Sequence, residues 1–324
     1  MDSSGFLVMF WPSRPYAIKH ERIEMICCFD IGGSKAVVAD MGSDNRPVIR
    51  SRQATPARDY DAFRETVKAM AGEGDAPVGI SIAAVIDPVT GLARSANIPC
   101  ITGRNVAEDL RETLSRPVYV INDANAFALA EAQTGAGIGH RQVLAAIIGT
   151  GIGGAVVIDG RVMTGATGNA GEWGHGPASA MRTGTVLPAI ECGCGQVGCV
   201  DTLGAARGIE RLHWHLHGIE SDSVTILAQW HAGEELATRT VDVFLDIVGG
   251  ALANIVNMVD PSIIPVSGGL AQDEALIEAL DAEVRQRCLI ERSERLLVPV
   301  LGGAEKALVG AAIFAREAHD AGNA

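Results

Sequence analysis

The densest group of metal-ligating residues lies at positions 191–201, which read ECGCGQVGCVD. Three of the chain's seven cysteines, Cys192, Cys194 and Cys199, fall within eight positions of one another. A disulfide between the first two would close a small, strained ring and leave one thiol unpaired. The intervening glycines let the backbone turn so that three sulfur atoms can converge on one point. The spacing therefore favours a zinc site, with buried free cysteines in a glycine-rich loop as the alternative.

Three thiolates leave a tetrahedral zinc ion one ligand short. The motif GEWGH at 171–175 contains Glu172 and His175, and this histidine precedes Cys192 by 17 positions in the same irregular segment. The competing donors are the histidines of HWHLH at 213–217, of which only the first and last share a helix face. We interpret HWHLH as a solvated helix surface and His175 as the candidate fourth ligand.

Three glycine-rich turns follow apparent strands: DIGGSK at 30–35, GTGIGG at 149–154 and SGGL at 267–270. Glycine allows the backbone to approach an anion closely, and N–H groups in such turns bind phosphate without a positive side chain. No Gly-Lys-Ser/Thr follows at the spacing of a Walker loop. The turns predict a nucleotide triphosphate site in a different ATP-binding fold.

The carboxylate best placed for proton transfer is Asp123, between the strand that ends at Asn122 and the helix that begins DANAFALAEAQ. An aspartate at the start of a helix can simply cap it. Asn122 and Asn125, however, add two polar side chains at the carboxyl end of a strand, where α/β proteins bind ligands. Asp123 is therefore a candidate catalytic base, and a helix cap is the alternative.

The elements that position these residues are predicted to form two similar halves. Residues 25–40 and 143–159 each read as an apolar strand, a glycine-rich turn and a second strand, the latter ending AVVAD or AVVID. Strands and helices then alternate in each half, which predicts duplicated α/β units in two lobes. The expected boundaries are a small lobe at 25–122 joined by the last helix at 305–324, a large lobe at 123–304, and an elaborated, metal-stapled loop at 166–200 within it.

Helix positions follow from apolar periodicity and capping residues. The predicted helices are 59–71, 105–115, one starting at 123, 202–217, 224–232, 234–258, 273–287 and one starting at 304.

Bulk composition limits the class of protein. The chain has 324 residues, 48% of them apolar and 20% charged, as expected for a soluble globular protein. A net charge of −13 argues against nucleic acid as the main partner, and no apolar run reaches the length of a membrane span. The cysteines outside the cluster are scattered, which fits a reducing cytoplasm. Residues 1–24 lack periodicity and the features of a signal peptide, so we expect a flexible leader.

Taken together, the motifs resemble the ROK family of sugar kinases and repressors. DIGGSK, NDANAFALAEA, GTGIGG, GEWGH, CGCGQVGC and SGGL occur in this order between Met25 and about Ala315. The resemblance implies the two-lobed actin-like ATPase (ribonuclease H-like) fold and ATP-dependent phosphorylation of the 6-hydroxyl of an N-acetylhexosamine, with N-acetylglucosamine first and N-acetylmannosamine or glucose as alternatives. A ROK repressor is the alternative of another class, but the leader is expected to be too short for its helix-turn-helix domain.

The resemblance also implies roles for individual residues. Asp123 would be the catalytic base, and the cofactors would be ATP, Mg²⁺ and a structural Zn²⁺. We expect the partners to be the amino sugar and ATP, without nucleic acid or membrane, in a cytoplasmic homodimer. The sugar would contact Asn97, Asn122, Asp123, Glu172, His175 and Asp201. The nucleotide would contact Asp30, Gly32, Gly33, Ser34, Lys35, Gly149, Thr150, Gly151, Gly153, Gly268 and Gly269. The zinc ligands would be His175, Cys192, Cys194 and Cys199.

Two departures from the family pattern concern the choice of sugar. Asp201 stands where the family usually has glutamate, which is one methylene longer. The sequence AAVID at 83–87 replaces a Pro-Gly-Pro-type turn found in many members. The stretch SANIPCITGRNV at 95–106 is nevertheless most similar to the N-acetylglucosamine kinases.

Overall fold

The computed structural model describes residues 25–300 and 302–322, so the predicted leader lies outside the described part of the chain. The described strands are β1 (Met25–Ile31), β2 (Lys35–Gly42), β3 (Pro47–Ala54), β4 (Val78–Ile82), β5 (Val85–Ile86), β6 (Ala93–Arg94), β7 (Val118–Asn122), β8 (Gln142–Ile148), β9 (Ile152–Ile158), β10 (Arg161–Val162), β11 (Ile264–Ser267) and β12 (Leu297–Pro299). The described α-helices are α1 (Tyr60–Ala71), α2 (Val106–Leu114), α3 (Asp123–Thr134), α4 (Val200–Leu203), α5 (Ala206–His217), α6 (Ser223–His231), α7 (Glu235–Val259), α8 (Glu274–Arg285) and α9 (Gly303–Gly322). This alternation confirms the predicted α/β class.

Two five-stranded sheets repeat one topology. Their strand orders are β3-β2-β1-β4-β7 and β10-β9-β8-β11-β12. In each sheet the first two strands form an antiparallel hairpin around a glycine turn, a third strand lies antiparallel at the edge, and two further strands run parallel. The two halves thus share one strand order, as expected of the duplicated α/β units that the repeated hairpin motif predicts. The edge strands β3 and β10 were not predicted, because β3 is largely exposed and polar and β10 has only two residues.

The parallel register brings polar residues to one edge of the first sheet. Asp30 in β1 lies opposite Ser81 in β4, and Ile82 of β4 lies opposite Asn122 of β7. Because all three strands run in the same direction, their carboxyl ends meet at this edge. The start of α3 follows there directly, which places Asp123 beside Asp30.

Side-chain caps set the starts of several helices. Asp59, Asn105 and Asp222 each precede a helix and accept a hydrogen bond from the backbone N–H three residues on. The helices α1, α2 and α6 therefore begin within a residue of their predicted starts.

The last helix packs against α3 and against strands β1, β4 and β7 of the first sheet. Small residues make this packing close. A methyl group added at Gly310 would overlap the carbonyl oxygen of Ala126 in α3, and one at Gly79 in β4 would overlap the carbonyl of Ala311. The chain therefore returns at its end to the sheet with which the described part begins.

The largest apolar core lies between the second sheet and helices α5 to α8. Its central helix, α7, is the one described helix that is long and apolar enough to cross a membrane by length and composition. It packs on α5, α6 and α8, and 56% of its apolar window is buried inside the protein. Its apolar character is that of a core helix.

Two sequence interpretations differ from the structure. The helix predicted at 202–217 is two helices, α4 and α5, with a break where Gly204 packs against Ile152 and Val248.

The histidines of HWHLH are not uniformly solvated. His213 is buried, and its Nδ1 lies 2.9 Å from the hydroxyl of Thr240 in α7. Burial lowers the pKa of His213, so a neutral core histidine replaces the predicted surface residue.

Candidate active site and metal centre

The first glycine turn connects β1 to β2. The N–H of Gly32 donates to the carbonyl of Lys35 at 2.9 Å, and the hydroxyl of Thr55 donates to the carbonyl of Gly32 at 2.8 Å. A Cβ atom on Gly33 would lie 2.8 Å from the carbonyl oxygen of Asn97, so only glycine fits there. The predicted sugar ligand Asn97 thus lies directly against the predicted phosphate turn. Ser34 and Lys35 complete the turn and are exposed.

Asp30 is the penultimate residue of β1, directly before this turn. Its Oδ1 accepts a hydrogen bond from the Ser81 hydroxyl at 3.0 Å. Burial raises the pKa of Asp30 to about 6; the Ser81 bond opposes this shift, the charge of Asp123 adds to it, and Lys35 opposes it. A nearby cation, such as Mg²⁺ bound with a nucleotide, would stabilise the ionised form of this carboxyl group.

The second and third glycine turns lie against each other. In the second turn the N–H of Gly149 donates to the carbonyl of Gly151 at 3.0 Å, while Thr150 is exposed. Gly268 of the third turn has a φ of 105°, and a Cβ atom there would overlap the backbone of Ile148 and Gly149. Gly269 then begins a 3-10 helix, and Gly153 continues from the second turn into β9. The second and third of the predicted nucleotide-binding turns therefore meet at the ends of adjacent strands β8 and β11.

Asp123 is the first residue of α3 and is not its cap. The cap is Asn122, whose Oδ1 accepts from the N–H of Asn125 at 3.0 Å. The amide of Asn122 donates to the carbonyl of Ala84 and to Asp123 Oδ1, both at 3.1 Å. Burial raises the pKa of Asp123, opposed by the Ala124 N–H, its own N–H and the Asn122 amide. Since Asn122 provides the helix cap, the carboxylate of Asp123 is not needed for that purpose.

Glu172 and His175 lie at either end of a short 3-10 helix. His175 Nε2 is 3.6 Å from Glu172 Oε2, whereas His175 Nδ1 is 3.5 Å from Cys192 Sγ. The two ring nitrogens thus face different partners. Burial raises the pKa of Glu172, which the charge of His175 opposes and the charges of Asp123 and Asp201 reinforce. The three carboxylates therefore share one region.

The predicted zinc ligands come together. One donor atom from each of His175, Cys192, Cys194 and Cys199 lies within 4.8 Å of the other three. Three sulfurs and one imidazole nitrogen suit a tetrahedral zinc ion in number and type. Burial raises the pKa of Cys199 to about 12, and hydrogen bonds from the other two thiols reinforce the shift. A cation among these groups would favour the thiolate forms, so the donor set fits a structural metal.

Asp201 lies in the first turn of α4, two residues after the last cysteine. Its Oδ1 accepts from the N–H of Ile152 at 2.7 Å, and its Oδ2 is 3.9 Å from Cys192 Sγ. The predicted sugar ligand therefore contacts the second glycine turn on one side and the cysteine cluster on the other.

The family model for ROK matches residues 26–318. The chain belongs to the ROK family. An N-acetylgalactosamine kinase, AgaK, of Shewanella sp. (strain ANA-3) is 37% identical over 258 residues, which are 78% of this chain and 83% of that protein. An N-acetyl-D-glucosamine kinase of Pectobacterium atrosepticum is 34% identical over 81% of this chain and 89% of its own. The crystal structure of a ROK family glucokinase from Streptomyces griseus with glucose and AMPPNP superposes with a TM-score of 0.71 at 26% identity, covering 90% of this chain and 99% of that one.

The roles of two residues in this site were not predicted, because no sequence pattern pointed to them. Ser81 is a lone hydroxyl in the apolar strand β4, and its contact with Asp30 depends on strand register. Trp173 lies inside the GEWGH motif, and its Nε1 donates to the carbonyl of Gly153 at 3.0 Å. The motif revealed that a tryptophan was present, but not that it contacts the second glycine turn.

Proposed function

We propose that the protein is an ATP-dependent sugar kinase that phosphorylates the 6-hydroxyl of an N-acetylhexosamine, with N-acetylglucosamine as the first candidate. The supporting observation is the position of Asp123, a buried carboxylate that α3 does not need as a cap. It lies within electrostatic reach of Asp30 in the first glycine turn and Glu172 in the GEWGH segment. A proton acceptor between a phosphate turn and a polar loop suits phosphoryl transfer to an alcohol.

The proposed chemistry assigns each group one task. Asp123 would accept the proton of the 6-hydroxyl as that oxygen forms a bond to the γ-phosphorus of ATP and the bond from that phosphorus to the β–γ bridging oxygen breaks, which releases ADP. The amide of Asn122 holds the carboxylate of Asp123 in place. Asn97, Asn122, Glu172 and His175 are the proposed contacts of the sugar, and the three glycine turns bind the nucleotide through their N–H groups. The resemblance also implies a sugar contact for Asp201, but both of its carboxylate oxygens already face protein groups. Mg²⁺ neutralises charge on the phosphates, and Asp30 is its proposed acidic partner.

We also propose that His175, Cys192, Cys194 and Cys199 bind one structural zinc ion. Through its Nδ1, His175 would join the metal, which leaves Nε2 for Glu172 and the sugar. The zinc would thereby orient a histidine that contacts the substrate. The expected lobes at 25–122 and 123–304, the homodimer and the cytoplasmic location belong to the same proposal.

The test is a substrate panel with purified protein, ATP and Mg²⁺. N-acetylglucosamine, N-acetylgalactosamine, N-acetylmannosamine and glucose are compared by kcat/KM, and the phosphorylated carbon is identified by NMR. The kinase proposal predicts a 6-phosphate and preference for an N-acetylated sugar. N-acetylgalactosamine is included because the AgaK relative is named for it. Absence of turnover with every sugar, in protein that binds Mg²⁺·AMPPNP, would contradict the proposal.

A further inference from the structure

The second glycine turn is held by the segment that follows the cysteine cluster. At one end of the turn, the N–H of Ala206 donates to the carbonyl of Gly149 at 2.9 Å. At the other end, Asp201 Oδ1 accepts from the N–H of Ile152 at 2.7 Å. Residues 200–206, which contain α4 and the start of α5, therefore contact both ends of the turn.

The turn itself is shaped to receive this carboxylate. A Cβ atom on Gly151 would lie 2.8 Å from Asp201 Oδ1, so a side chain there would displace the aspartate. On the next residues of the same turn, Trp173 Nε1 donates to the carbonyl of Gly153, and a Cβ atom on Gly154 would overlap the indole. The glycines thus allow two side chains from the metal-bearing loop and its continuation to approach the backbone.

Asp201 is also close to the cluster. It lies two residues after Cys199, and its Oδ2 is 3.9 Å from Cys192 Sγ. A hydrogen bond from a backbone N–H to an ionised carboxylate is among the stronger kinds in proteins. The carboxylate therefore links the segment fixed by the cysteines to the backbone of the second glycine turn.

We propose that Asp201 is a positioning residue that holds the GTGIGG turn in its nucleotide-binding form and couples it to the Cys/His cluster. This inference rests on the proposed function, because it takes the turn to bind ATP phosphates. One carboxylate oxygen is committed to Ile152 and the other faces Cys192, so the main effect of Asp201 is on the nucleotide rather than on the sugar. Ordering of the cluster by zinc then strengthens nucleotide binding, and by linkage the nucleotide strengthens zinc binding.

The test measures Mg²⁺·AMPPNP binding by calorimetry in the absence of sugar, together with zinc content. Asp201→Ala removes the acceptor of the Ile152 N–H and should weaken binding about tenfold or more. Asp201→Asn keeps an oxygen acceptor and should restore most of the affinity. Glu191→Gln, an exposed carboxylate at the start of the same motif, is the matched control and should bind as the wild type does.

Steady-state kinetics separate this role from a direct sugar contact. The inference predicts that Asp201→Ala raises KM for ATP while KM for the sugar changes less than about twofold. Unaltered AMPPNP affinity with a raised KM for the sugar would overturn it. If Asp201→Ala does not fold, Asp201→Glu replaces it in the test. The longer glutamate side chain displaces the oxygen that accepts from the Ile152 N–H, so AMPPNP affinity should fall. Wild-type AMPPNP affinity in Asp201→Glu would also overturn the inference. The AMPPNP binding measurement needs no sugar. Its result can therefore be interpreted even if none of the sugars in the substrate panel is phosphorylated.

Discussion

Three partly buried carboxylates, Asp30, Asp123 and Glu172, lie close enough for the charge of one to raise the pKa of another. In each of them burial is the largest cause of the raised pKa. A buried carboxyl with a raised pKa destabilises the fold as the pH rises above the ordinary pKa of that group, because the unfolded chain ionises first, and the cost is complete once the pH exceeds the raised pKa. These residues therefore carry a cost in stability that is characteristic of functional sites.

Asp123→Asn should separate function from folding. The amide cannot accept the proton of the sugar hydroxyl, so we expect kcat to fall by about 10²-fold or more. Removal of a buried negative charge, with the Asn122 cap intact, should leave the melting temperature unchanged or higher. The control is Asp75→Asn at an exposed position. Wild-type turnover in Asp123→Asn would remove Asp123 from the proposed mechanism.

The pH dependence of nucleotide binding should report Asp30. Its carboxyl is protonated below a pKa of about 6, and protonation removes the charge that favours Mg²⁺. Affinity for Mg²⁺·AMPPNP is therefore expected to fall as the pH drops through 6, by up to about tenfold per pH unit. Calorimetry between pH 5 and 8 would show this.

Two variants test the assignment. Asp30→Asn should bind Mg²⁺·AMPPNP weakly, with an affinity that no longer changes with pH, whereas Asp123→Asn should retain the pH dependence. An unchanged pH dependence of affinity in Asp30→Asn would contradict the assignment.

At the scale of elements, the loop at 166–200 has almost no regular structure and is held by polar contacts. Its middle is anchored to α7, because Asp246 accepts from the N–H of Thr183 at 2.8 Å and from its hydroxyl at 3.0 Å. Arg287, which lies two residues after the end of α8, contacts the same carboxylate at 2.7 Å. Burial alone would raise the pKa of Asp246, but these three partners lower it overall, so this anchor is lost only as the pH falls through that lowered pKa. The end of the loop that carries the cysteines is held by backbone hydrogen bonds, such as that from the N–H of Ala178 to the carbonyl of Gly198 at 2.8 Å, and contains the proposed zinc ligands.

Cys194→Ser should release that end of the loop. We expect zinc content to fall from about one per chain towards zero, because a hydroxyl replaces a thiolate ligand. Sugar affinity should fall with it, since Glu172 and His175 are then less well held. Cys288→Ser, a partly buried cysteine outside the cluster, is the control. Metal-free wild-type protein with full activity would rule out the structural zinc.

The site also depends on the packing of α3 against α9, because α3 carries Asp123. Gly310→Ala would place a methyl group on the carbonyl of Ala126, one turn from Asp123. We expect a loss of about 1–3 kcal/mol in unfolding free energy from overpacking, although alanine is the better helix former. Gly42→Ala at the end of β2 is the control, because its methyl group would meet only the Asp44 carboxylate, at 3.4 Å. Equal denaturant midpoints for the two variants would contradict the tight crossing.

At the scale of the molecule, α9 carries the end of the described chain back to the first sheet and to α3. Lys306 Nζ lies 2.9 Å from Glu131 Oε1, a contact with ion-pair distance but without hydrogen-bond geometry. Glu131 is buried, and its other oxygen accepts from the N–H of Ala136 at 2.9 Å. This ion pair therefore joins α3, which starts at the catalytic candidate, to the helix that closes the fold.

Lys306→Met should destabilise the whole protein by about 2 kcal/mol or more, because it leaves a buried carboxylate without its cation. Adding Glu131→Gln to this variant should recover part of the loss, and a double-mutant cycle in urea measures the coupling. Arg111→Met breaks an exposed pair with Glu108 and should cost less than about 0.5 kcal/mol. Additive effects of the two buried changes would show that the pair contributes nothing.

Local patterns in the sequence were sufficient to predict many of the structural elements and candidate site residues of this protein. The spacing of Cys192, Cys194 and Cys199 predicted a cluster, and the repeated glycine hairpins predicted duplicated α/β units. These features depend on residues close together in the chain, where backbone geometry limits the possible structures. The caps Asp59 and Asn105 marked helix starts for the same reason.

Only the tertiary structure decided the contacts between distant segments. It showed that Asn122 rather than Asp123 caps α3, that His213 is buried against Thr240, and that Asp201 bonds to Ile152. The last contact joins residues 49 positions apart in the chain. Sequence periodicity identifies which face of an element is buried, but the partner across that face depends on how the sheets and helices pack together. The same reason explains why the composition of α9 alone did not reveal its close crossing with α3.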